Sequence, residues 1–286
     1  MKIKNHVLKN VDYIQTPNGG GVINPKFIVM HYTAGWTGDS AINVLKKRSS
    51  KVSAHIVLDR DGTITQMMPF NKKTWHAGPS KYDGIKNLNS HSIGIEIVNI
   101  GYFKKDSSGS FIDPYGRKVR GSKLAEWGDT IPAKNKRIGG GTYYWPKYSE
   151  EQLDALDELV EALLDAYPNI RAIVSHEEID TRGWKTDPGP AFPMKRYTQL
   201  LHGDRADLDE ITPEEEKVNG KWPGNPYTVL ASSLNVRGGP GGNFEVLCKV
   251  KRGGTVGVIG WDGDWAEVRI PGDIEGFVHG KYIDAK

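Results

Sequence analysis

Two histidines of this chain follow the same local pattern, which would suit them to bind a metal ion. His31 follows four apolar residues and precedes small and hydroxyl residues in the stretch FIVMHYTAG. His176 follows a second apolar run in the stretch RAIVSHEEID. Because such runs are typical of buried strands, each imidazole is expected at the end of a strand. If the two strands belong to one sheet, the imidazoles lie side by side at its edge.

A carboxylate follows the second histidine within a turn-rich loop. Asp187 lies eleven residues after His176, in the loop TRGWKTDPGPAF, which can fold back toward the strand ends. Two imidazoles and one carboxylate can bind a catalytic zinc ion whose fourth position is open to water. The alternative is that both histidines are hydrogen-bonded core residues and that Asp187 is an ordinary turn residue. The spacing leaves both interpretations open.

Two further residues could act beside such an ion. Glu96 interrupts the Ile- and Val-rich stretch SIGIEIVNI, where an unpaired carboxylate is costly to bury. A semi-buried carboxylate of this kind is what a general base for an attacking water requires. Lys185, two residues before Asp187, could stabilise a developing oxyanion. The alternatives are a glutamate that is solvated or paired with a lysine, and a solvated loop lysine.

The elements that must position these residues alternate along the first part of the chain. Apolar and alternating runs predict strands over 27–32, 53–58 and 92–100. The Asp-Gly turn in RDGTITQMMP predicts a hairpin, with the second of these strands as its first arm and the alternating stretch TITQM as its second arm. A short amphipathic helix, capped by Asp39 or Ser40, is expected after the first strand.

The longest predicted helix lies in the stretch SEEQLDALDELVEALLDAYPNI. Ser149 is a good N-cap residue, Gln152 completes a capping box and Pro168 ends the helix. Residues 101–147 are instead rich in Gly, Lys, Ser and Pro, with scattered aromatic residues. This composition indicates a long surface insertion, or two loops, rather than core.

The last part of the chain has a different pattern. Residues 204–225 are acidic and then rich in Pro and Gly, as expected of a linker between residues 1–203 and residues 226–286. Residues 226–286 show short alternating strands broken by Gly, Pro or Asp-Gly, which is typical of a small β-barrel. The single cysteine, Cys248, excludes an intramolecular disulfide and a zinc site with several thiolates.

Composition and charge bear on the class of protein. Of the 286 residues, 37% are hydrophobic and 26% are charged, which is ordinary for a globular protein. The net charge of +3 fits an anionic partner such as a cell-wall polymer or nucleic acid and is too small to choose between them. A dense Lys/Arg stripe with interleaved aromatic residues is missing from the sequence, so we expect no nucleic-acid partner. No apolar run is long enough to span a membrane and the N-terminus lacks the apolar core of a signal peptide, so we expect neither membrane insertion nor a secretory signal.

The stretches that carry the candidate residues resemble, in type and order, those of one enzyme family. They are FIVMHYTAG, VSAHIVLDRDGTITQMMPFNKKTWHAGPS, NSHSIGIEIVN and VSHEEID…KTDPGPAF. Together they resemble the zinc-dependent N-acetylmuramoyl-L-alanine amidases of the amidase-2 type, which include AmpD-like enzymes, phage lysozyme amidases and peptidoglycan-recognition proteins. The resemblance implies an α/β fold with a central mixed β-sheet flanked by helices, and one catalytic Zn²⁺ in a substrate groove.

The resemblance also implies a role for each matching residue. His31, His176 and Asp187 match the zinc ligands, and an aspartate as the third ligand is typical of the AmpD-like branch. Glu96 matches the catalytic carboxylate, and Lys185 matches the lysine beside the metal.

Other matching positions surround the implied groove. His55, Trp75 and His76 are expected to contact the sugar or the stem peptide, and a structural role is the alternative for each. Residues 101–147 depart from the compact members of the family. They could form a wall or lid over the groove, or mediate oligomer contacts.

The C-terminal stretch LNVRGGPGGNFEVLCKVKRGGTVGVIG…WAEVRI…EGFVHGKYI resembles bacterial SH3-type domains. Such domains commonly bind cell-wall peptides, so we expect this region to bind the cell wall. A barrel that serves stability or assembly is the alternative. Trp261 could belong to a binding surface, whereas Trp265 and Phe277, at strand positions, are expected to pack.

These observations predict a peptidoglycan hydrolase. It would cleave the amide bond between the lactyl group of N-acetylmuramic acid and L-alanine, in the intact wall or in a soluble muropeptide. Two alternatives are a non-catalytic peptidoglycan receptor on the same fold and an interaction protein centred on the SH3-type domain. Without a signal peptide, the protein would be made in the cytoplasm and reach the wall by endolysin-type release, or act in the cytoplasm as a recycling enzyme.

Overall fold

The computed structural model describes residues 1–139, 141–201, 224–231, 233–242, 244–251, 253–270 and 274–285. The chain divides into two compact units, Met1–His202 and Gly203–Lys286. Almost all of the predicted linker over 204–225 lies outside the described residues, as does His202. None of the described helices is both long enough and apolar enough to cross a membrane.

The first unit combines short strands with a few helices. Its strands are β1 (Ile3–Lys4), β2 (Val7–Leu8), β3 (Asp12–Tyr13), β4 (Gly19–Val22), β5 (Phe27–Tyr32), β6 (Ile56–Leu58), β7 (Ile64–Gln66), β8 (Lys72–Thr74), β9 (Lys81–Tyr82), β10 (Ile85–Lys86), β11 (Ser92–Ile97), β12 (Lys104–Lys105), β13 (Phe111–Ile112), β14 (Thr130–Lys134), β15 (Thr142–Pro146) and β16 (Ala172–Ser175). Its α-helices are α1 (Gly38–Leu45), α2 (Gly121–Trp127), α3 (Glu150–Ala166), α4 (His176–Ile179) and α5 (Met194–Gln199).

A six-stranded mixed sheet, in the order β16-β5-β11-β6-β7-β3, forms the centre of this unit. Strands β16, β5, β11 and β6 run parallel, and β6 and β7 form the antiparallel hairpin predicted from the Asp-Gly turn. Parallel strands that are covered on both faces read as continuous apolar runs, which explains the stretches FIVM and AIV. The predicted α/β fold with a central mixed sheet is confirmed.

The two faces of β5 belong to different parts of the core. Ile28 and Met30 form one buried cluster with the leucines of α3. Phe27 and Val29 form a second cluster with residues of other elements, namely Ala77, Leu88, Val174 and Ile179. Because side chains alternate along a strand, His31 lies on the face opposite α3.

Helix boundaries follow local capping chemistry. The hydroxyl of Ser149 accepts a hydrogen bond from the Gln152 backbone N–H, and the Gln152 side chain completes the predicted capping box. At the short helix α1 the prediction was wrong by two or three residues, because Thr37 is the N-cap and its hydroxyl accepts from the Ser40 N–H at 3.2 Å. In both cases a side-chain oxygen satisfies a backbone donor that the helix leaves free.

Residues 101–147 are not surface loops, and that prediction was wrong. They form two hairpins, β12–β13 and β14–β15, together with α2. Phe103, Trp127 and Trp145 are buried, and the first two pack with residues of α1 and the central sheet. The Gly, Lys and Ser residues occupy turns and exposed positions, whereas the scattered aromatic residues bury enough apolar surface to fold the segment onto the unit.

The second unit is an antiparallel β-structure. Its strands are β17 (Asn225–Val229), β18 (Ser233–Arg237), β19 (Val246–Lys251), β20 (Thr255–Asp262), β21 (Trp265–Ile270), β22 (Ile274–His279) and β23 (Ile283–Ala285). They pair in the order β19-β18-β22-β21-β20-β17-β23 around a small valine-rich core. The predicted SH3-like barrel is confirmed, with Trp261 exposed and Trp265 and Phe277 half-buried.

Candidate metal centre and active site

Three side chains converge at the carboxyl edge of the central sheet. His31 lies near the end of β5, His176 is the first residue of α4 directly after β16, and Asp187 lies on the following loop. The two Nδ1 atoms are 2.9 Å apart, and Asp187 Oδ2 lies 3.0 Å from Nδ1 of His31 and 2.8 Å from Nδ1 of His176. All three residues are buried. The parallel pairing of β5 with β16 is what brings the two histidines together.

The donor atoms of this cluster fit a metal ion. His176 Nε2 lies 3.2 Å from the Ala77 carbonyl, which can only accept, so this nitrogen carries the proton and Nδ1 presents a lone pair. Burial and the neighbouring His176 lower the pKa of His31 to about 4, so its imidazole is neutral, the form that binds metals. Burial alone would raise the pKa of Asp187, but the adjacent imidazoles of His176 and His31 hold that pKa well below its usual range. A cation between these atoms would satisfy two imidazole lone pairs and a carboxylate together.

Glu96 adds an unsatisfied carboxylate to the same face of the sheet. It is the registered partner of His31 across the parallel pair β11–β5, so the two side chains emerge side by side. Its Oε2 atom is buried and has no hydrogen-bond partner among the described residues. Burial and the Asp187 carboxylate raise the pKa of Glu96 to about 8, and the charge of Lys185 opposes them. A buried carboxyl group with a free oxygen is suited to exchange a proton with a water or substrate beside it.

Lys185 is held in place through its backbone. Its N–H donates to Asp180 Oδ2 at 3.1 Å, and its carbonyl accepts from Arg137 Nη1 at 3.1 Å. The charge of Lys185 lowers the pKa of Glu96, an effect smaller than those of burial and Asp187, which raise it. The predicted role of Lys185 beside the metal stays a prediction.

The loop that carries Asp187 is anchored by residues that the sequence analysis did not identify. Asp180 is buried, and its carboxylate accepts from the backbone N–H groups of Trp184 and Lys185 and from the guanidinium groups of Arg137 and Arg182. In the sequence, Asp180 stands beside the turn-like residues Thr181 and Gly183, so it reads as an ordinary turn residue and not as an anchor of the loop. A buried aspartate with four donors explains how a Gly-rich loop holds one conformation.

Segment 101–147 supplies much of this support. Asn135 donates to the Glu177 carboxylate at 3.1 Å, and Arg137 contacts both Glu177 and Asp180. The ring of Trp145 lies so close to Gly189 that an added Cβ there would be 2.7 Å from it. The segment therefore packs against both ends of the ligand loop. A wall or lid over the groove, and oligomer contacts, stay hypotheses for this segment.

Two of the three residues predicted to contact substrate are buried. His55 is 0% exposed, its Nε2 donates to the Lys72 carbonyl at 2.8 Å, and its Nδ1 accepts from the Gly94 N–H at 3.0 Å. His76 is 8% exposed and contacts His31 instead of the surface. The burial of both side chains favours the structural alternative for each, and their contact with substrate stays a prediction.

Exposed aromatic residues border the site. Trp75 is 38% exposed, and its predicted contact with substrate stays a prediction. Trp184, 62% exposed, lies on the loop between His176 and Asp187 with the Arg182 guanidinium 4.5 Å from its ring centre. Tyr115, from segment 101–147, donates its hydroxyl to the Ala34 carbonyl at 2.7 Å. Exposed rings of this kind offer flat surfaces for a sugar or peptide, and the Trp in TRGWKTDPGP was the available sequence signal for one of them.

A sheet edge that gathers two imidazoles and a carboxylate beside a second, proton-exchanging carboxyl group is typical of metal-dependent hydrolases. Comparison with known proteins makes the class specific. Residues 22–190 match the family described as N-acetylmuramoyl-L-alanine amidase, and residues 232–284 match the bacterial SH3 domain. The chain belongs to the N-acetylmuramoyl-L-alanine amidase family.

Several known proteins are similar to part of this chain. The 1,6-anhydro-N-acetylmuramyl-L-alanine amidase AmpD of Escherichia coli is 32% identical over 152 residues, which are 53% of this chain and 59% of that protein. The N-acetylmuramoyl-L-alanine amidase AmiD of the same organism is 27% identical over 219 residues, 72% of this chain and 63% of that protein. The chain thus spans about three fifths of the length of these relatives. A solved structure of E. coli AmiD in complex with the substrate anhydro-N-acetylmuramic acid-L-Ala-D-gamma-Glu-L-Lys is 26% identical, with a TM-score of 0.43 and coverage of 63% of this chain and 58% of that one.

Proposed function

We propose that this protein is a zinc-dependent amidase that hydrolyses the bond between the lactyl group of N-acetylmuramic acid and L-alanine in peptidoglycan. Membership of the family supports the reaction. The observation that carries the proposal is the convergence of His31, His176 and Asp187 beside the orphaned Oε2 of Glu96. A non-catalytic receptor on this fold would have no need for a complete ligand set together with a buried proton acceptor.

His31 and His176, through Nδ1, and Asp187, through Oδ2, would hold the zinc ion. When bound, zinc would act as a Lewis acid toward the scissile carbonyl and would lower the pKa of a water molecule. The ligands come from two parallel strands and an anchored loop, so the protein positions them without large rearrangement. Burial of the cluster strengthens every electrostatic interaction within it.

Glu96 would carry the proton during hydrolysis. Its carboxylate would accept a proton from the attacking water and then deliver it to the nitrogen of the leaving L-alanine. A pKa of about 8 lies close to neutral pH, so Glu96 can both take up the proton of the water and release it to the amine. Its place on a central strand fixes its distance from the ligand strand.

Lys185 would stabilise the negative charge that develops on the carbonyl oxygen. An ammonium group near a buried carboxylate site acts more strongly there than in water. Trp75 and Trp184 would provide surfaces for the sugar or the stem peptide. These two rings are exposed, so they can contact a large substrate.

The second unit would bind the cell wall, as its match to the bacterial SH3 domain suggests. Tethering one module to a polymer raises the local concentration of the other. This arrangement favours action on the wall itself after endolysin-type release from the cytoplasm. The alternative is that the protein carries out the same reaction on soluble muropeptides in the cytoplasm.

The test combines metal analysis with product analysis. Purified protein should contain about one zinc per chain and should release peptides with a free N-terminal L-alanine from purified cell wall. The matched control is Glu96→Gln, which should keep the zinc and lose the activity. Wall digestion without new N-terminal alanine, or full activity in the metal-free protein, would contradict the proposal.

A further inference from the structure

The first candidate ligand, His31, contacts another imidazole on the side away from the proposed ion. Its Nε2 atom lies 2.9 Å from Nδ1 of His76. The rings meet edge to face, with centroids 5.0 Å apart and an interplanar angle of 87°. A histidine that binds a metal through one nitrogen commonly donates its other N–H to a neighbouring group, and the identity of that group fixes the tautomer.

A chain of hydrogen bonds determines which nitrogen carries each proton. The Leu88 carbonyl can only accept, so the Ser92 hydroxyl, 2.6 Å away, donates its single proton there. Ser92 Oγ must then accept from His76 Nε2, which lies 3.1 Å away. A neutral His76 protonated on Nε2 offers the Nδ1 lone pair as an acceptor. His31 therefore donates from Nε2, and its own Nδ1 is left as a lone pair that faces His176 and Asp187.

The position of His76 is itself built into the fold. The Asn89 side chain accepts from the backbone N–H groups of His76 at 3.0 Å and of Ala77 at 2.7 Å. The ring lies over Gly94 of β11, where an added Cβ would be 2.4 Å from His76 Cγ. Gly94 is two residues before Glu96, on the same face of the sheet, so the glycine leaves the space that the supporting imidazole occupies.

We propose that His76 is a positioning residue that holds His31 in the tautomer whose Nδ1 faces the metal. The inference rests on the proposed function, because it requires that the cluster bind zinc. His76 would act together with the neighbouring Ala77 carbonyl, which selects the corresponding tautomer of His176. Two adjacent residues of the WHAG stretch would thus orient both histidine ligands.

The test compares His76→Leu, which removes the acceptor, with His76→Gln, which can accept from His31 and donate to Ser92. Zinc affinity is measured by competition with a chromogenic chelator, and the His31 tautomer by long-range ¹H–¹⁵N correlation NMR of the zinc-free protein. We expect His76→Leu to weaken zinc binding about 10- to 100-fold and to leave His31 in mixed tautomers. His76→Gln should restore most of the affinity and the Nε2–H tautomer.

A second variant covers the case in which His76→Leu does not fold. Ser92→Ala leaves both histidines in place but removes the acceptor for His76 Nε2, so it should weaken zinc binding less, with the same change of tautomer. A folded His76→Leu or Ser92→Ala protein with wild-type zinc affinity and an unchanged His31 tautomer would overturn this inference alone. Wild-type protein that binds no zinc would overturn the proposed function and this inference with it.

Discussion

His31 and Glu96 are registered partners on the neighbouring parallel strands β5 and β11. Their side chains therefore leave the same face of the sheet at adjacent positions, and backbone hydrogen bonds between the strands hold them there. A candidate ligand and a candidate proton carrier are thus positioned by paired strands of the central sheet. The third candidate ligand, Asp187, lies on a loop and depends on side-chain contacts for its position.

Replacing Glu96 should separate metal binding from catalysis. Glu96→Gln keeps the shape of the side chain but cannot accept a proton, so we expect the rate of amide hydrolysis to fall about 10²- to 10⁴-fold. Zinc content should stay near that of the wild type, because Glu96 is not among the three converging ligand atoms. The measurement is release of N-terminal L-alanine from cell wall, alongside metal analysis of the same preparation. Retained activity would remove Glu96 from the mechanism.

Removing zinc should destabilise the first unit. Binding of a ligand to the folded state alone adds about 4 kcal/mol when its concentration is 1,000 times its dissociation constant. Chelator treatment should therefore lower the melting temperature, and added zinc should restore it. The His31→Ala variant is the control and should not respond to zinc. Equal melting temperatures with and without zinc in the wild type would contradict the site.

Arg137 should stabilise the loop that carries Asp187. Arg137→Ala removes contacts to Asp180 and to the Lys185 carbonyl, so we expect a loss of about 1–3 kcal/mol in unfolding free energy and weaker zinc binding. Lys118→Ala, in the same segment, removes only an exposed ion pair with Asp106 and should change stability by less than about 0.5 kcal/mol. Both are measured by urea unfolding and chelator competition. Equal effects of the two variants would argue against a supporting role for segment 101–147.

His55 should contribute to a decrease of folding stability in mild acid. Burial lowers the pKa of His55 to about 4, below its ordinary value of 6.5. Between these two pH values the unfolded chain binds a proton at His55 and the folded chain does not. The contribution of neutral His55 is complete above pH 6.5 and is lost as the pH falls toward 4, by up to about 1.4 kcal/mol per pH unit. His55→Gln should reduce the dependence of unfolding free energy on pH over this range, and His31, whose pKa is also lowered to about 4, should account for part of the remainder. The same slope in both proteins would show that other groups cause it.

The local parts of the fold were predictable from the sequence. Apolar runs identified β5 and β11, and the Ser149–Gln152 pair identified the start of α3, because each depends on residues a few positions apart. Segment 101–147 was misread because its burial depends on aromatic residues packing onto α1 and the sheet, which lie far away in the chain. The composition of such a segment is dominated by its turn residues and does not reveal that its aromatic residues are buried.

The sequence by itself determined which residues could form the site. Strand-end histidines, an acidic residue in an apolar strand and a carboxylate in a Gly- and Pro-rich loop are local features, set by residue type and by hydrophobic pattern. Only the tertiary structure decided which groups each of these residues contacts. His76 and His55 carry equally suggestive motifs, yet one contacts His31 and the other is enclosed by backbone groups of β8 and β11. Contacts between residues 45 positions apart along the chain, such as His31 with His76, arise only when the strands pair and the loops close over them.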